Sequence, residues 1–334
     1  MRIVKLVLLG LGVAAIAVSV HRIGWAPVVE ALERLTWWQL VVVCLPYAVI
    51  TAVDTLGWRF AFPRDPAPFR RLFGARLAGE ALNLVTAVGS VGGEAVKAWL
   101  IRRDVAYAES VPSVVIAKTT LTIAQALFLL IGVALAWTTL AIDSRVIGAM
   151  LWLLVVEAAA VAGFVGVQIA GVIGRAGRLL EWFGVVRRDD YARRLDADLR
   201  AYYRRDWRRL SLSTGFHLGG WLLGAVEAYL ILRFLRIPVD LVTATVIEAL
   251  GAGVRFATFL VPASLGAFES ANAAAFEAMG LGAGAGLAFS FVRRARQVGW
   301  IGVGLLVLVS MGWLAKRADL QATVSTGPSS STSA

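Results

Sequence analysis

The sequence predicts an all-α polytopic membrane protein, because it is very apolar, contains several long windows with few charges, and carries most of its basic residues between those windows. Of its 334 residues, 59% are hydrophobic, which exceeds the roughly 45–50% typical of soluble domains. An apolar window of about 20 residues is long enough for a helix to cross a bilayer. Helices are expected because a spanning segment must satisfy its own backbone polar groups in lipid.

Six windows are predicted to form full transmembrane helices, and they lie at residues 4–20, 39–60, 108–137, 146–171, 211–235 and 284–314. Two further apolar stretches, 75–101 and 242–278, are each interrupted by a turn-rich motif, GSVGG at 89–93 and PASLG at 262–266. Each stretch is predicted to form a re-entrant hairpin of two half-helices. Such broken backbone is tolerated at membrane depth only inside protein or beside a wet cavity, so the hairpins should lie within the bundle.

The distribution of basic residues predicts the orientation. The segment 172–209 carries eleven arginines against six acidic residues, and basic loops face the cytoplasm. Counting spans from this linker places both termini in the cytoplasm, the first hairpin entering from inside and the second from outside. Aromatic residues among the arginines favour a helix on the inner membrane surface, with a solvated linker as the alternative. Residues 1–317 are expected to form one transmembrane domain and residues 318–334 a disordered tail.

The two hairpins belong to a predicted internal repeat that covers about residues 39–137 and 211–314. Aligning SVGGE at 90–94 with SLGA at 264–267 and with Glu269, with one insertion, matches turn with turn and acid with acid. The same offset aligns Lys118 with Arg293. Because the hairpins enter from opposite faces, the two copies would be inverted. Transporters are often built this way and bind substrate near the midplane, where broken helices meet.

Ionisable residues at membrane depth are costly and normally mark function or pair internally. Here they suit an anionic group, since guanidinium grips phosphate in bidentate fashion and ammonium acts as a point charge. Half-helix N-termini in the two motifs would add N–H donors. The predicted substrate-binding residues are Lys118, Arg255, Arg293, Glu94, Glu269, Lys97, Gly92, Gly93 and Gly266.

Internal ion pairing is the alternative role for each of these charges, for example between Lys118 and Glu94. Glu94 and Glu269 either carry protons or neutralise the neighbouring cations. Three further acids are either proton sites or interhelical hydrogen-bonding groups, and they are Asp54, Glu157 and Glu227.

Several short motifs resemble the lysylphosphatidylglycerol synthase transmembrane region, or flippase-like, family of bacterial inner-membrane proteins, over roughly residues 1–316. They are Gly92-Gly93-Glu94 followed by Lys97 and Leu100, the cation Lys118, Pro262 to Gly266 with Glu269, and the Arg293 region. The resemblance implies a lipid-translocating unit with paired re-entrant hairpins. Relatives with lysyl-transfer activity carry a separate soluble catalytic domain, so that activity is expected to be absent from a chain that stops at Ala334.

Two departures from the family pattern bear on the headgroup: Val91 precedes the glycines where relatives have Arg, and Lys118 replaces Arg. The stretch DTLGWR at 54–59 and the Gly-Gly-Glu variant are similar to the hopanoid-associated branch of the family. This similarity implies a polycyclic terpenoid lipid as a cargo, beside an anionic phospholipid.

Taken together, these features predict a lipid transporter or flippase that moves a hopanoid or anionic phospholipid across or out of the inner membrane. Because no Ser-His-Asp set, His cluster or phosphate-cradling loop is apparent, no enzymatic activity, cofactor or metal is expected. A membrane-embedded lipid-modifying transferase and a non-catalytic scaffold are the alternatives. The net charge of +11 is spread between apolar spans, so the expected partners are membrane lipids and not nucleic acid. Assembly into a homo-oligomer is left open.

Overall fold

The computed structural model describes residues 25–33, 35–85, 91–139, 143–171 and 191–325, together with His21. Within these ranges the regular secondary structure is helical, with one short 3-10 turn at Pro262–Ser264 and no strand. The helices are α1 (Ala26–Glu33), α2 (Trp37–Phe60), α3 (Phe69–Val85), α4 (Val91–Leu100), α5 (Tyr107–Thr139), α6 (Ser144–Ala170), α7 (Tyr191–Arg205), α8 (Trp207–Phe234), α9 (Leu241–Ala257), α10 (Ala267–Ala278) and α11 (Ala283–Ser325).

Among the described residues, five helices are long and apolar enough to cross a membrane: α2, α5, α6, α8 and the Ala283–Trp313 part of α11. They coincide with five of the six predicted spans, to within a few residues at each end. The sixth predicted span, residues 4–20, lies outside the described residues. Large apolar side chains such as Val49, Trp152 and Leu306 are exposed on these helices, as expected for surfaces whose solvent is lipid.

Each of the two interrupted stretches forms a pair of helices, α3 with α4 and α9 with α10. The second pair is broken where Ala263 and Ser264 adopt φ values of 51° and 50° and Gly266 adopts 78°. A helix cannot continue through left-handed backbone, which is strained for residues other than glycine. In the first pair α3 ends at Val85 and α4 begins at Val91, so residues 91–93 of the predicted break are helical, and residues 86–90 lie outside the described residues. Whether either pair is re-entrant remains a prediction.

The helices of the two predicted repeats follow the same order. In each, a long helix precedes a 17-residue helix, a short helix of 10 or 12 residues and a second long helix, as α2–α5 and as α8–α11. The packing is reciprocal, because α3 contacts α11 while α9 contacts α5, and α2 contacts α8. The described helices therefore interlock as two similar halves, and their inverted orientation in the membrane remains a prediction.

The later part of the basic segment forms α7, while residues 172–190 lie outside the described residues. Leu199 and Tyr202 of α7 are buried, and the Tyr202 hydroxyl donates to the Phe60 carbonyl oxygen at 2.7 Å. The Tyr203 hydroxyl donates to Gln168 Oε1 at 2.7 Å. These residues of α7 therefore pack against the ends of α2 and α6, and a position of α7 on the inner membrane surface remains a prediction.

The first part of the predicted disordered tail is helical in the structure, because α11 continues to Ser325. Residues 318–325 are helical in the structure, and residues 326–334 lie outside the described residues. The sequence explains this extension, since Leu320, Gln321 and Ala322 favour helix and no glycine or proline follows Trp313 until Gly327.

Candidate functional site

A cavity of about 370 Å³ lies between the two halves of the protein. Its walls come from α2, α3 and α5 of the first half and from α8, α9, α10, α11 and the turn after α9 of the second. This volume is within the range of roughly 300–1,000 Å³ that is usual for ligand pockets. The lining includes six cationic side chains and four carboxylates, which are Arg76, Lys118, Arg255, Arg293, Arg294, Arg296, and Asp54, Glu80, Glu227 and Glu248.

On the wall of the first half, Asp54 joins α2 to α3 and α8. Its Oδ2 accepts from Arg76 Nη2 at 3.0 Å, and its Oδ1 lies 3.0 Å from Nδ1 of the buried His217. Because Arg76 and His217 both hold this carboxylate, Asp54 is a structural link between three helices. His217 has a packing role, since a Cβ built on Gly57 would lie 2.7 Å from its ring.

Behind the same wall, Lys97 of α4 joins two glutamates. Its Nζ lies 2.9 Å from Glu80 Oε1 and 3.0 Å from Glu94 Oε1. Glu94 also accepts a weaker hydrogen bond from Asn83 Nδ2 at 3.3 Å. Glu94 is therefore paired with Lys97, and the pair that the sequence offered as an alternative, Lys118 with Glu94, does not form.

On the wall of the second half, Glu248 is shared by two arginines. Its Oε1 accepts from Arg255 Nη2 at 2.9 Å, and its Oε2 accepts a short hydrogen bond from Arg293 Nη1. Arg296 Nη1 donates to both oxygens of the buried Glu227, at 2.6 and 2.5 Å. Every arginine in this group thus has a carboxylate partner, as buried charges require.

The turn after α9 is fixed by a second carboxylate contact. Arg294 Nε donates to Glu269 Oε1 at 2.6 Å, and its Nη1 donates to the Ala263 carbonyl oxygen at 2.9 Å. Glu269 Oε2 in turn accepts from the Gly266 backbone N–H at 2.7 Å. Arg294 and Glu269 therefore hold the break in the helix, and they place Ala263 and Ser264 on the cavity wall.

Arg255 differs from the other arginines because its side chain is 29% exposed. Its guanidinium lies over the rings of Trp221 and Phe268, with 5.8 and 5.0 Å to the ring centroids. Contacts of this kind hold a cation while leaving its edge free for hydrogen bonds. Arg255 is therefore a cation presented to the cavity.

Lys118 is the other exceptional cation of the lining. Among the described residues, its ammonium makes no hydrogen bond and has no carboxylate within ion-pair distance, whereas each of the five arginines has one. Lys118 is half-buried and lines the cavity as well as an adjoining small crevice that includes Glu94, Lys97 and Trp58. Glu80 interacts with it only at longer range, so Lys118 is a cation without a direct carboxylate partner among the described residues.

The structure brings together only some of the predicted binding residues. Lys118, Arg255 and Arg293 line the cavity, while Glu94 and Lys97 lie beside it around the small crevice. The remaining four are not among the lining residues, and they are Gly92, Gly93, Gly266 and Glu269.

The predicted backbone donors already have acceptors within the protein. The Gly266 N–H donates to Glu269, and the Gly93 N–H donates to Asn83 Oδ1 at 2.8 Å. Gly93 instead serves close packing, since a Cβ at this position would lie 2.0 Å from the Gly79 carbonyl oxygen. Gly93 and Gly266 thus shape the broken helices, and their N–H groups are not free donors.

Three lining cations were not among the predicted binding residues, and they are Arg76, Arg294 and Arg296. Arg76 is the second residue of the predicted stretch 75–101. It precedes Glu80 by four residues, and this spacing predicts a contact on one face of a helix. The structure has this contact at 3.7 Å. The aromatic partners of Arg255, Trp221 and Phe268, were also missed, because one lies on α8 and the other on α10.

The family comparison covers all of these residues. The sequence model of the family described as "Lysylphosphatidylglycerol synthase TM region" matches residues 2–320. Searches of curated protein sequences and of solved structures gave no match. Because the family match spans nearly the whole chain, and five apolar helices are long enough to cross a bilayer, the protein is a multi-pass membrane protein that belongs to the lysylphosphatidylglycerol synthase TM region family.

Proposed function

We propose that the protein is a lipid transporter that moves an amphipathic lipid with an anionic headgroup across or out of the bacterial inner membrane, without chemical change to the lipid. The observation that carries this proposal is the unpaired ammonium of Lys118 in the wall of a cavity lined by six cations and four carboxylates. A charge without a direct ion pair at membrane depth is costly. A bound anion would offset that cost.

Arg255 is the second proposed contact for the anion. Glu248 keeps its bond to Arg293 when Arg255 turns away, so Arg255 can bind a ligand without leaving a buried carboxylate unpaired. Lys118 and Arg255 belong to different halves of the protein. A phosphate bound by both would therefore join the two halves, as expected of a transporter whose substrate lies between its repeats.

The chemistry of the lining favours a headgroup in the cavity and not the body of a lipid. Charged residues surround the space, whereas the outer faces of α6 and α11 are apolar and exposed. Acyl chains or a hopanoid ring system would thus remain in the bilayer while the polar end enters. An anionic phospholipid supplies a charge for Lys118 directly, and a hopanoid would do so only through an anionic polar end.

The test is lipid translocation in proteoliposomes that contain the purified protein. Fluorescent anionic phospholipid, neutral phospholipid and hopanoid would be compared for wild type, Lys118→Ala and the control Arg70→Ala. Arg70 is exposed at the start of α3 and does not line the cavity, yet its replacement removes the same charge. Loss of a charge-assisted contact of about 1.5–3 kcal/mol should slow exchange by about tenfold or more.

The expected result is faster exchange of the anionic lipid with wild type and with Arg70→Ala, and a large loss with Lys118→Ala. Equal exchange by Lys118→Ala and wild type would reject the proposed site. Absence of exchange for every lipid with folded wild-type protein would reject transport, and a change in lipid mass during the assay would favour a transferase instead.

A further inference from the structure

Glu157 is a buried acid that the proposed transport site does not use. It lies in the middle of α6, where it is 0% exposed although neighbours such as Trp152, Val155 and Val156 face outwards. Neither of its carboxyl oxygens has a hydrogen-bond partner within the described part of the chain. Two other acids within the full membrane helices pair with an arginine, Glu227 with Arg296 and Asp54 with Arg76.

The packing of α6 shows what surrounds this carboxyl group. α6 contacts α5, α9 and α7. A Cβ on Gly132 of α5 would meet Met150 of α6, and Gln168 Nε2 of α6 donates to Thr119 of α5 at 3.1 Å. This antiparallel register places Glu157 at the level of Gln125, whose Nε2 already donates to a backbone carbonyl oxygen of α9 at 2.8 Å.

The charged residues of these neighbouring helices either bond to other groups or lie far from Glu157 along the helix. On α5, Glu109 is at the far end and Lys118 lies about two turns from Gln125. On α9, Glu248 and Arg255 bond to each other. On α7 the charged residues lie beyond the end of α6, where the Arg200 side chain lies beside Gly171. No described cation therefore neutralises Glu157.

An ionised carboxylate in such surroundings would carry a large desolvation cost, while the protonated acid costs only its missing hydrogen bonds. We infer that Glu157 is a proton-binding site, occupied when α6 packs as in this structure, and that release of its proton weakens the packing of α6 on α5 and α9. This inference is independent of lipid transport. The stability of the helix bundle would then depend on pH through Glu157, which lies outside the cavity.

The test is the pH dependence of thermal unfolding in detergent for wild type, Glu157→Gln and the control Glu109→Gln. Stability falls with rising pH wherever the folded protein binds more protons than the unfolded chain. The Tm of wild type relative to Glu157→Gln should therefore fall by about 2–4 °C between about pH 5 and about pH 8. Glu109 is exposed in the first turn of α5, so Glu109→Gln should follow wild type.

Two results would overturn the inference. Parallel pH curves for wild type and Glu157→Gln would show that Glu157 does not titrate in this range, and failure of Glu157→Gln to fold would show that a neutral isostere is not accepted. Glu157→Leu adds a separate test, because a protonated acid without partners should be replaceable by an apolar side chain. A collapse of Tm in Glu157→Leu would mean that the carboxylate is ionised and holds a cation.

Discussion

Lys118 and Arg293 occupy equivalent positions in the predicted repeat, but they have different surroundings. Arg293 is nearly buried and bonds to Glu248, which also holds Arg255. Lys118 is half-buried and lacks a carboxylate partner among the described residues. The equivalence in sequence therefore does not extend to role, because Arg293 stabilises the second half while the charge of Lys118 remains available to a ligand.

Replacement of these two cations should separate stability from transport. Arg293→Ala removes a charge-assisted hydrogen bond to the buried Glu248, which stays bonded to Arg255, so it should cost about 1.5–3 kcal/mol, whereas Lys118→Ala breaks no ion pair and should cost less than about 1 kcal/mol. Thermal unfolding of the purified variants measures both effects. Equal Tm values for the two single variants would contradict the assignment of a structural role to Arg293 and of a ligand-binding role to Lys118.

At the scale of the element, α9 depends on a defined N-terminus outside the spans. Asp240 adopts an extended conformation, and its Oδ1 accepts from the Thr243 backbone N–H at 2.7 Å. Hydrogen bonding to the side chain and then the backbone of Thr243 lowers the pKa of Asp240. The cap fixes the start of the helix that presents Glu248 and Arg255 to the cavity.

Asp240→Ala should destabilise the protein by about 1 kcal/mol, whereas Asp240→Asn should have little effect, because asparagine caps as well as aspartate. The sign of the pH effect follows from the lowered pKa. The charged cap is fully stabilising above about pH 4, the unfolded value, and is lost as the pH falls through the folded value. Thermal unfolding across this range should thus show an acid loss for wild type that Asp240→Asn reduces. If wild type and Asp240→Asn lost the same stability at acid pH, the charge of Asp240 would make no contribution to stability.

The sequence predicted most of the elements because each depends on local information. Hydropathy located five described spans, and the PASLG motif located the break that the structure has at Pro262–Ser264. The function of Gly93 was not predictable in the same way. Gly93 must be small because the Gly79 carbonyl oxygen of the neighbouring helix lies against it. A contact between two helices cannot be recognised from the sequence around one residue.

The ion-pair partner of each charged residue could not be predicted from the nearby sequence either. Arg255 and Glu248 lie seven residues apart on one helix, so two turns bring them together, but the second arginine that binds Glu248, Arg293, comes from α11. Which cation remains unpaired depends on the rotation of every helix about its axis. The candidate residues were therefore recognisable as a set, and the distinction between Lys118 and the others required the structure.

At the scale of the whole molecule, the two halves interlock at two crossings where a glycine allows close approach. A Cβ on Gly132 of α5 would lie 2.3 Å from the Ala249 Cβ of α9. In the other crossing, a Cβ on Gly304 of α11 would lie 2.5 Å from both the Ala81 Cβ and the Leu77 carbonyl oxygen of α3. Each long helix thus meets the first helix of the opposite broken pair at backbone distance.

These crossings predict opposite effects for two alanine substitutions on the same helix. Gly304→Ala forces α11 away from α3 and should destabilise the protein by about 1–3 kcal/mol. Gly302→Ala places its methyl group in open space and should stabilise by about 0.4–1 kcal/mol, because alanine restricts the unfolded chain. Thermal unfolding of both variants in one detergent makes the comparison. Since helix propensity changes identically in both, a lower Tm for Gly304→Ala alone can arise only from the contact between the halves, and equal shifts would mean that the halves do not meet there.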